Sequence, residues 1–388
     1  MYTVLYIVIF IELDGVQVEI KVLNKLLEGF DEHDFSRKYK LIEALNNGGN
    51  SHSYKAYSYS LKKNIFIKFF LLPRHEIELL KFKNEIAIHK LVSRQGEAYD
   101  EHAVINFIDS KLFKNDLGGY LVVEWLEGRP LDIVINDYKD KSFEEKIQLF
   151  HRVANALIPL SSWIIHRDLH PSNIMVVDEN FEYTRLTDEA YNPQIKVTDF
   201  GESYSEYVEV VSDLVESDLK KIRESSARRL TTSLYSTPPE YLKNYTDNKF
   251  HIFHRSWNYD SWALGLIGFK IFFNEDLFTF KDIKDYVASL NSNHFQMDIE
   301  NRIDSKFFNI KHEQSRLLKN IFQYLLRADP NQRTSDGSIG LSLYLTRFKG
   351  YKLPEKADDV EYLEFIKGGW HYLDAKGMTR LGDTWSYD

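Results

Sequence analysis

Asp168, Asn173 and Asp199 are the residues whose types and spacing could carry chemistry. Two of them stand in the run Ile165-His166-Arg167-Asp168-Leu169-His170-Pro171-Ser172-Asn173, and Asp199-Phe200-Gly201 begins 31 positions after Asp168. A carboxylate can take or orient a proton. Carboxylate and amide oxygens are hard ligands that suit magnesium or manganese rather than zinc. A cation of the protein's own stands upstream. The run Asn64-Ile65-Phe66-Ile67-Lys68-Phe69-Phe70 reads as a buried strand with one lysine, which is costly to bury unless its ammonium meets an anion. Glu85 lies in a segment, Leu79 to Leu91, that is helical by pattern, with Leu79, Phe82 and Ile86 on one face. Glu85 is a candidate anion for Lys68. The alternative is a surface charge facing His89 four positions on.

In this order the pieces resemble the eukaryotic-like, Hanks-type protein kinase superfamily, in its serine/threonine branch, from about Tyr39 to about Phe348. Leu45 to Ala56, LNNGGNSHSYKA, stands where that family has its glycine-rich loop, and keeps Gly48, Gly49, Tyr54, Lys55 and Ala56. Asn46 and Ser51 replace the outer glycines, and Ser53 replaces the apolar residue over the adenine. The glycine loop is therefore divergent, though asparagine tolerates positive φ better than most residues. The resemblance implies ATP and Mg2+ (or Mn2+) as cofactors. Gly48, Gly49 and Ser51 would cover the phosphates, and Lys68, paired with Glu85, would grip them. Val123 would line the adenine pocket, with the backbone of Glu124 and Leu126 on the adenine edge. Asp168 would orient the acceptor hydroxyl, and Asn173 and Asp199 would hold the metal. His170 stands where most members of that branch have lysine. A histidine beside a γ-phosphate would carry charge, and activity would then fall as pH climbs past neutral, less so in His170→Lys. A packing histidine is the alternative. An HxDLHPxN-like run also occurs in small-molecule phosphotransferases of the same superfamily.

Three downstream features favour a protein acceptor. Pro238-Pro239-Glu240 resembles the end of an activation segment. Tyr259-Asp260-Ser261-Trp262-Ala263-Leu264-Gly265 resembles the buried helix that braces the catalytic loop. Asp329-Pro330-Asn331-Gln332-Arg333-Thr334 resembles the motif whose arginine pairs with the segment's glutamate, so a buried Glu240–Arg333 salt bridge is expected. Arg167 is the family's receptor for an activation-segment phosphate. Thr231, Thr232, Ser233 and Tyr235 are the candidate phosphate acceptors, and Ser233 could instead contact Asp168. Glu206 to Arg229 is charged and helix-like, with Val208, Val211, Val215, Leu219 and Ile222 at helical spacing. It reads either as an autoinhibitory or docking helix or as a solvated amphipathic insert.

The chain of 388 residues is 43% hydrophobic and 28% charged, as in a globular protein, and its net charge of −9 argues against a general nucleic-acid or anionic-membrane binder. It has no cysteine, so no disulfide framework or thiol nucleophile. The apolar run Val4–Ile11 is too short to span a membrane and lacks the flanks of a signal peptide. With the Asp14-Gly15 turn and the alternating Val16 to Val22 it reads as a hairpin. The expectation is an α+β, bilobal kinase fold. It divides into an amino-terminal β-hairpin extension (1–36), a β-rich lobe with one main helix (37–126), a helical lobe (127–348) and an aromatic-rich tail (349–388). The expected activity is an ATP-dependent Ser/Thr protein kinase that autophosphorylates, in the cytoplasm or as a secreted effector in a host cytosol. Its partners would be a protein substrate and, through 1–36 or 349–388, a second copy or another protein, with no nucleic acid and no membrane. A pseudokinase scaffold, suggested by the eroded glycine loop, and a kinase-fold enzyme with a small-molecule acceptor are the rivals.

Overall fold

The computed structural model describes residues 32–45, 51–99, 104–161, 164–177, 195–205, 207–228, 236–241, 259–312, 315–330, 332–333, 372–374 and 377–379. The expected amino-terminal hairpin, Gly48, Gly49, the four candidate phosphate acceptors and most of the tail lie outside the described residues. The chain divides into two compact units. One takes in residues up to Ile86 together with Asn106–Leu126, and the other Ala87–Ile105 and everything from Glu127 onward.

The first unit is built on alternation. After a short helix, α1 (Glu32–Lys38), come β1 (Tyr39–Ala44), β2 (Ser51–Ser58) and β3 (Lys63–Leu71). In β2 and β3 every second residue is buried, so Tyr54, Ala56, Ile65, Ile67 and Phe69 share one core. Period two then places Lys68 on the opposite face of β3 from Ile67 and Phe69. The rings of Phe35, Tyr39, Phe69 and Tyr120 close the core in edge-on and tilted contacts of 5.3 to 5.9 Å. Helix α2 (Glu76–Tyr99) follows, with β4 (Phe107–Leu112) and β5 (Gly118–Glu124) after it. The sheet runs in the order β1-β2-β3-β5-β4, antiparallel throughout. Gly118 opens β5 at φ +114°, and a Cβ there would stand 2.0 Å from the Phe70 carbonyl oxygen, so only glycine fits. Helix α2 extends beyond the Leu79–Leu91 read from the sequence, because its amphipathic pattern fades before its backbone bonding stops.

The second unit is mostly helical. A small antiparallel sheet joins β6 (Arg129–Pro130), β7 (Ile174–Val176) and β8 (Ile195–Val197). Around it lie α3 (Leu131–Asp137) and α4 (Phe143–Ser161). Helix α4 starts on a reciprocal cap. The Ser142 Oγ accepts from the Glu145 amide at 3.2 Å, and the Glu145 carboxylate accepts from the Ser142 amide at 2.9 Å. Further on come α5 (Glu216–Arg228), α6 (Tyr259–Phe273), α7 (Ile283–Leu290), α8 (Phe295–Phe307) and α9 (Ser315–Leu325). Helix α6 is apolar over most of its surface, the composition of a helix with little solvent face, and Trp262, Leu264 and Phe269 are fully buried. Gly268 lets it close on its neighbours, for a Cβ would meet the Phe150 ring at 2.5 Å and the Phe322 ring at 2.6 Å.

The insert after Asp199 corrects one expectation. The single helical pattern from Val208 to Ile222 is two pieces, a 3-10 turn at Val208–Val210 and helix α5. Ser212 and Asp218 accept the backbone amides of Leu214 and Val215, local bonds that start a fresh helix instead of continuing the old one. Val208, Leu219 and Ile222 are buried, whereas Val215 is exposed. Beyond Leu266 the expected helical character is carried by α6 to α9. In the tail, β9 (Tyr372–Asp374) and β10 (Gly377–Thr379) pair as a small antiparallel ladder.

Candidate active site

In the first unit the Lys68 Nζ donates to the Glu85 Oε1 at 2.7 Å. The carboxylate is nearly buried and the ammonium partly exposed. Strand β3 delivers the lysine from its non-core face, and the first half of α2 delivers the glutamate. The alternative of Glu85 as a plain surface charge is thereby corrected, since its carboxylate is inside and paired. Val123 is buried on β5 and pairs in register with Phe66. The Glu124 carboxylate accepts from the backbone and side-chain nitrogens of Asn106 at 2.9 and 3.1 Å. The Glu124 amide donates to the Asn106 carbonyl, and so is bonded within the protein. Ser51 opens β2 opposite Phe70.

In the second unit the loop that begins at Ile165 and carries Asp168 is fixed by its backbone. The Asp260 carboxylate, at the start of α6, accepts the amides of His166 at 2.7 Å and Arg167 at 3.0 Å. Burial pushes this carboxyl up from its ordinary value, and His166 and the two amide bonds oppose the shift. Ile165 and Tyr204 exchange both backbone bonds at 2.8 Å. The Ser203 hydroxyl donates to the His166 carbonyl. Arg167 and Asp199 both hold positive φ, +66° and +59°. Non-glycine residues hold such angles only where the surroundings over-determine them. Arg167 is buried with its guanidinium over the Tyr204 ring, 4.9 Å from its centroid.

Asp168, Asn173 and Asp199 all belong to this unit. The Asn173 side-chain nitrogen donates to the Asp168 carbonyl at 2.9 Å, and the Asn173 carbonyl accepts from the amide and hydroxyl of Thr198. The amide nitrogen is thus committed, and the amide oxygen is the atom left to meet a cation. The Asp199 Oδ1 accepts from the Gly201 amide at 3.2 Å. The Asp168 Oδ1 is buried with no hydrogen-bond partner among the described residues, an acceptor waiting for a donor. The Asp168 Oδ2 lies 3.8 Å from the His170 Nε2. Burial pushes the Asp168 carboxyl up, and His170 and His166 oppose it. No group of three or more His, Cys, Asp or Glu among the described residues could hold a metal alone. The side-chain oxygens of Asn173 and Asp199 are hard donors of the kind that suit a magnesium-class cation.

The Glu240–Arg333 pair is bidentate and buried, with both bonds at 2.8 Å. The Arg333 guanidinium also donates to the Arg327 carbonyl and lies over the Trp262 ring. Sequence reasoning missed the residues that hold the loop from behind. Phe200 sits between the rings of His89, edge-on at 4.9 Å, and His166 at 5.3 Å. Thr198, Ser203 and Tyr204 were legible only as neighbours of Asp199. His89 carried a signal, a polar residue four positions after Glu85, but it entered only in the alternative of a surface charge, whereas it is buried.

A family model described as protein kinase domain matches residues 39–344. The chain belongs to the protein kinase domain family. Among curated proteins this kinase-family chain is similar to a probable serine/threonine-protein kinase of Clostridium perfringens (strain 13 / Type A). The two are 30% identical over 170 residues, 42% of this chain and 21% of that protein. It is similar also to a probable serine/threonine-protein kinase of Clostridium acetobutylicum, 28% identical over 43% of this chain and 22% of that one. A third relative, the serine/threonine-protein kinase tousled-like 2 of Mus musculus, is 27% identical over 47% of this chain and 24% of that one. The chain therefore spans about a fifth to a quarter of the length of these relatives. No helix of the described residues is long and apolar enough to cross a membrane.

Proposed function

We propose that the chain is an ATP- and Mg2+-dependent protein kinase (Mn2+ serving as well) that phosphorylates serine and threonine hydroxyls and autophosphorylates in its activation segment. In the step proposed, the acceptor hydroxyl oxygen bonds to the γ-phosphorus, the bond from that phosphorus to the β,γ-bridging oxygen breaks, and ADP leaves. Asp168 orients the hydroxyl and takes its proton. Lys68, held by Glu85, meets the α- and β-phosphates. The hinge around Glu124 and Leu126, with Val123 behind it, receives the adenine, and Gly48, Gly49 and Ser51 cover the phosphates. Asn173 and Asp199 would hold the cation, whose contribution when bound is to offset phosphate charge. Positioning and electrostatics are what such a site supplies. The observation that carries the reading is the Asp168 Oδ1, buried and without a hydrogen-bond partner among the described residues, where a hydroxyl donor could meet it. The names of the similar proteins and the buried Glu240–Arg333 pair support a protein acceptor.

The test is label transfer from γ-labelled ATP with Mg2+ to dephosphorylated casein and to the chain itself. Asp168→Ala and Asp199→Asn should each lower the rate at least about 100-fold. Label on neither protein would sink the proposal, as would undiminished transfer by Asp168→Ala. A second reading, transfer to a small-molecule acceptor, is favoured by His170 beside Asp168. Nucleotide turnover without protein labelling would support it.

A further inference from the structure

Ser236 to Tyr241 contains the glutamate, Glu240, that Arg333 clamps, and it is held at two further points by tyrosines. The Tyr286 hydroxyl, on α7, donates to the Thr237 carbonyl at 3.1 Å, with both residues buried. The Thr237 side chain is hydrogen-bonded to Tyr259 at the start of α6. The ring of Tyr241 stands edge-on to the ring of Tyr259 at 5.7 Å. Tyr259 is the neighbour of Asp260, whose carboxylate holds the His166 and Arg167 amides. One turn of α6 thus fixes both the loop that carries Asp168 and the segment that carries Thr237. Tyr286 is itself immobilised. Its ring stacks on Phe280 at 4.5 Å and Phe278 at 6.3 Å, and Phe278 stacks in turn on Trp262 at 6.1 Å. Helix α7 is capped by Asp282, which accepts the Asp285 amide. A rigid ring ending in one hydroxyl on one carbonyl is a fixed strut, not an adaptable contact.

The structure assigns Tyr286 as a positioning residue that sets the Ser236–Tyr241 segment against the catalytic loop, and so fixes where an acceptor protein lies relative to Asp168. Tyr286 touches neither acceptor nor nucleotide and acts through the Thr237 carbonyl. This rests on the protein-acceptor reading above. Losing the hydroxyl leaves the ring stack in place and removes one of the segment's anchors, so the effect falls on acceptor binding and not on ATP.

The experiment compares wild type, Tyr286→Phe and Thr237→Val as full-length chains, with casein as the probe. Tyr286→Phe should raise the KM for casein about five- to tenfold, the worth of one buried hydrogen bond. The KM for ATP and kcat should stay within about twofold. Thr237→Val, which keeps the carbonyl but loses the bond to Tyr259, should move the same constant in the same direction. Amide hydrogen exchange, which needs no activity, should quicken across 236–241 in Tyr286→Phe and stay unchanged across 195–205. Unchanged exchange at 236–241 overturns the assignment, and so does a loss shared equally by casein and ATP constants, which marks a merely structural role. If wild type fails to label casein, the functional reading fails by itself, and the exchange result still decides whether Tyr286 anchors the segment.

Discussion

Asp168 is governed by two opposed influences. Burial raises its carboxyl, and the histidines on either side of it in sequence, His166 and His170, pull it back. Of the two, His170 is the partly exposed one, 3.8 Å from the Asp168 Oδ2. That separation is too long for a hydrogen bond and short enough for charge to act. Its influence on the proposed reaction is then electrostatic, and a cationic side chain of another shape should serve in its place. We predict that His170→Ala lowers kcat about tenfold or more, while His170→Lys stays within about threefold of wild type. Steady-state kinetics at saturating ATP and casein measure both. Equal rates in all three proteins would show a packing residue. The presence of His170 in the loop was plain in the sequence. Its distance to Asp168 was not, because it depends on the extended backbone at His170 leading into the Pro171–Asn173 turn.

Elements were legible where backbone chemistry is local. Period two in β2 and β3 and the apolar surface of α6 follow directly from residue order. The Lys68–Glu85 pair was legible through the resemblance, because both ends stand where that family pattern expects them. The insert was misread for the opposite reason. Apolar spacing ran on through Ser212 and Asp213, but side-chain bonds to backbone amides compete with the helix there. The same chemistry used well starts α4. Bonds from the Ser142 hydroxyl and amide hold the Glu145 carboxyl down to about 2 from 4.5. A carboxyl lowered on folding stabilises the fold above its ordinary value, and that contribution is lost as pH falls toward about 2. Because Glu145 is solvent-exposed, screening keeps the effect small. Ser142→Ala should lower the Tm by about 2 °C at pH 7, and the gap from wild type should narrow steadily as pH drops below 4.5. Calorimetric melts at matched ionic strength across that range test it. A gap that stays constant to pH 3 would show that the carboxylate takes no part in the cap.

Across the whole chain, the contacts least visible in the sequence are those between buried side chains far apart in order. Phe200 against His89, and Tyr286 on the Thr237 carbonyl, have no spacing rule, because the packing of complete helices decides which ring meets which group. Glu240–Arg333 spans 93 positions and was legible only because both ends lie in motifs. Its energetics follow from its burial. Arg333 has no exposed side-chain surface and Glu240 almost none, so each charge depends on the other. The guanidinium further satisfies the Arg327 carbonyl through two donors. Arg333→Met leaves the Glu240 carboxylate buried with neither cation nor donors, and should cost about 3–5 kcal/mol in urea unfolding. Replacing both residues removes the stranded charge as well as the pair. Glu240→Met/Arg333→Met should therefore recover a large part of that loss, with the Arg327 carbonyl still lacking its two donors. If the single variant is no less stable than the double, the pair is solvated in solution and does not anchor the end of the segment. If the single variant alone is severely destabilised, the arginine works by neutralising Glu240, and the segment ahead of it inherits its position from that neutralisation.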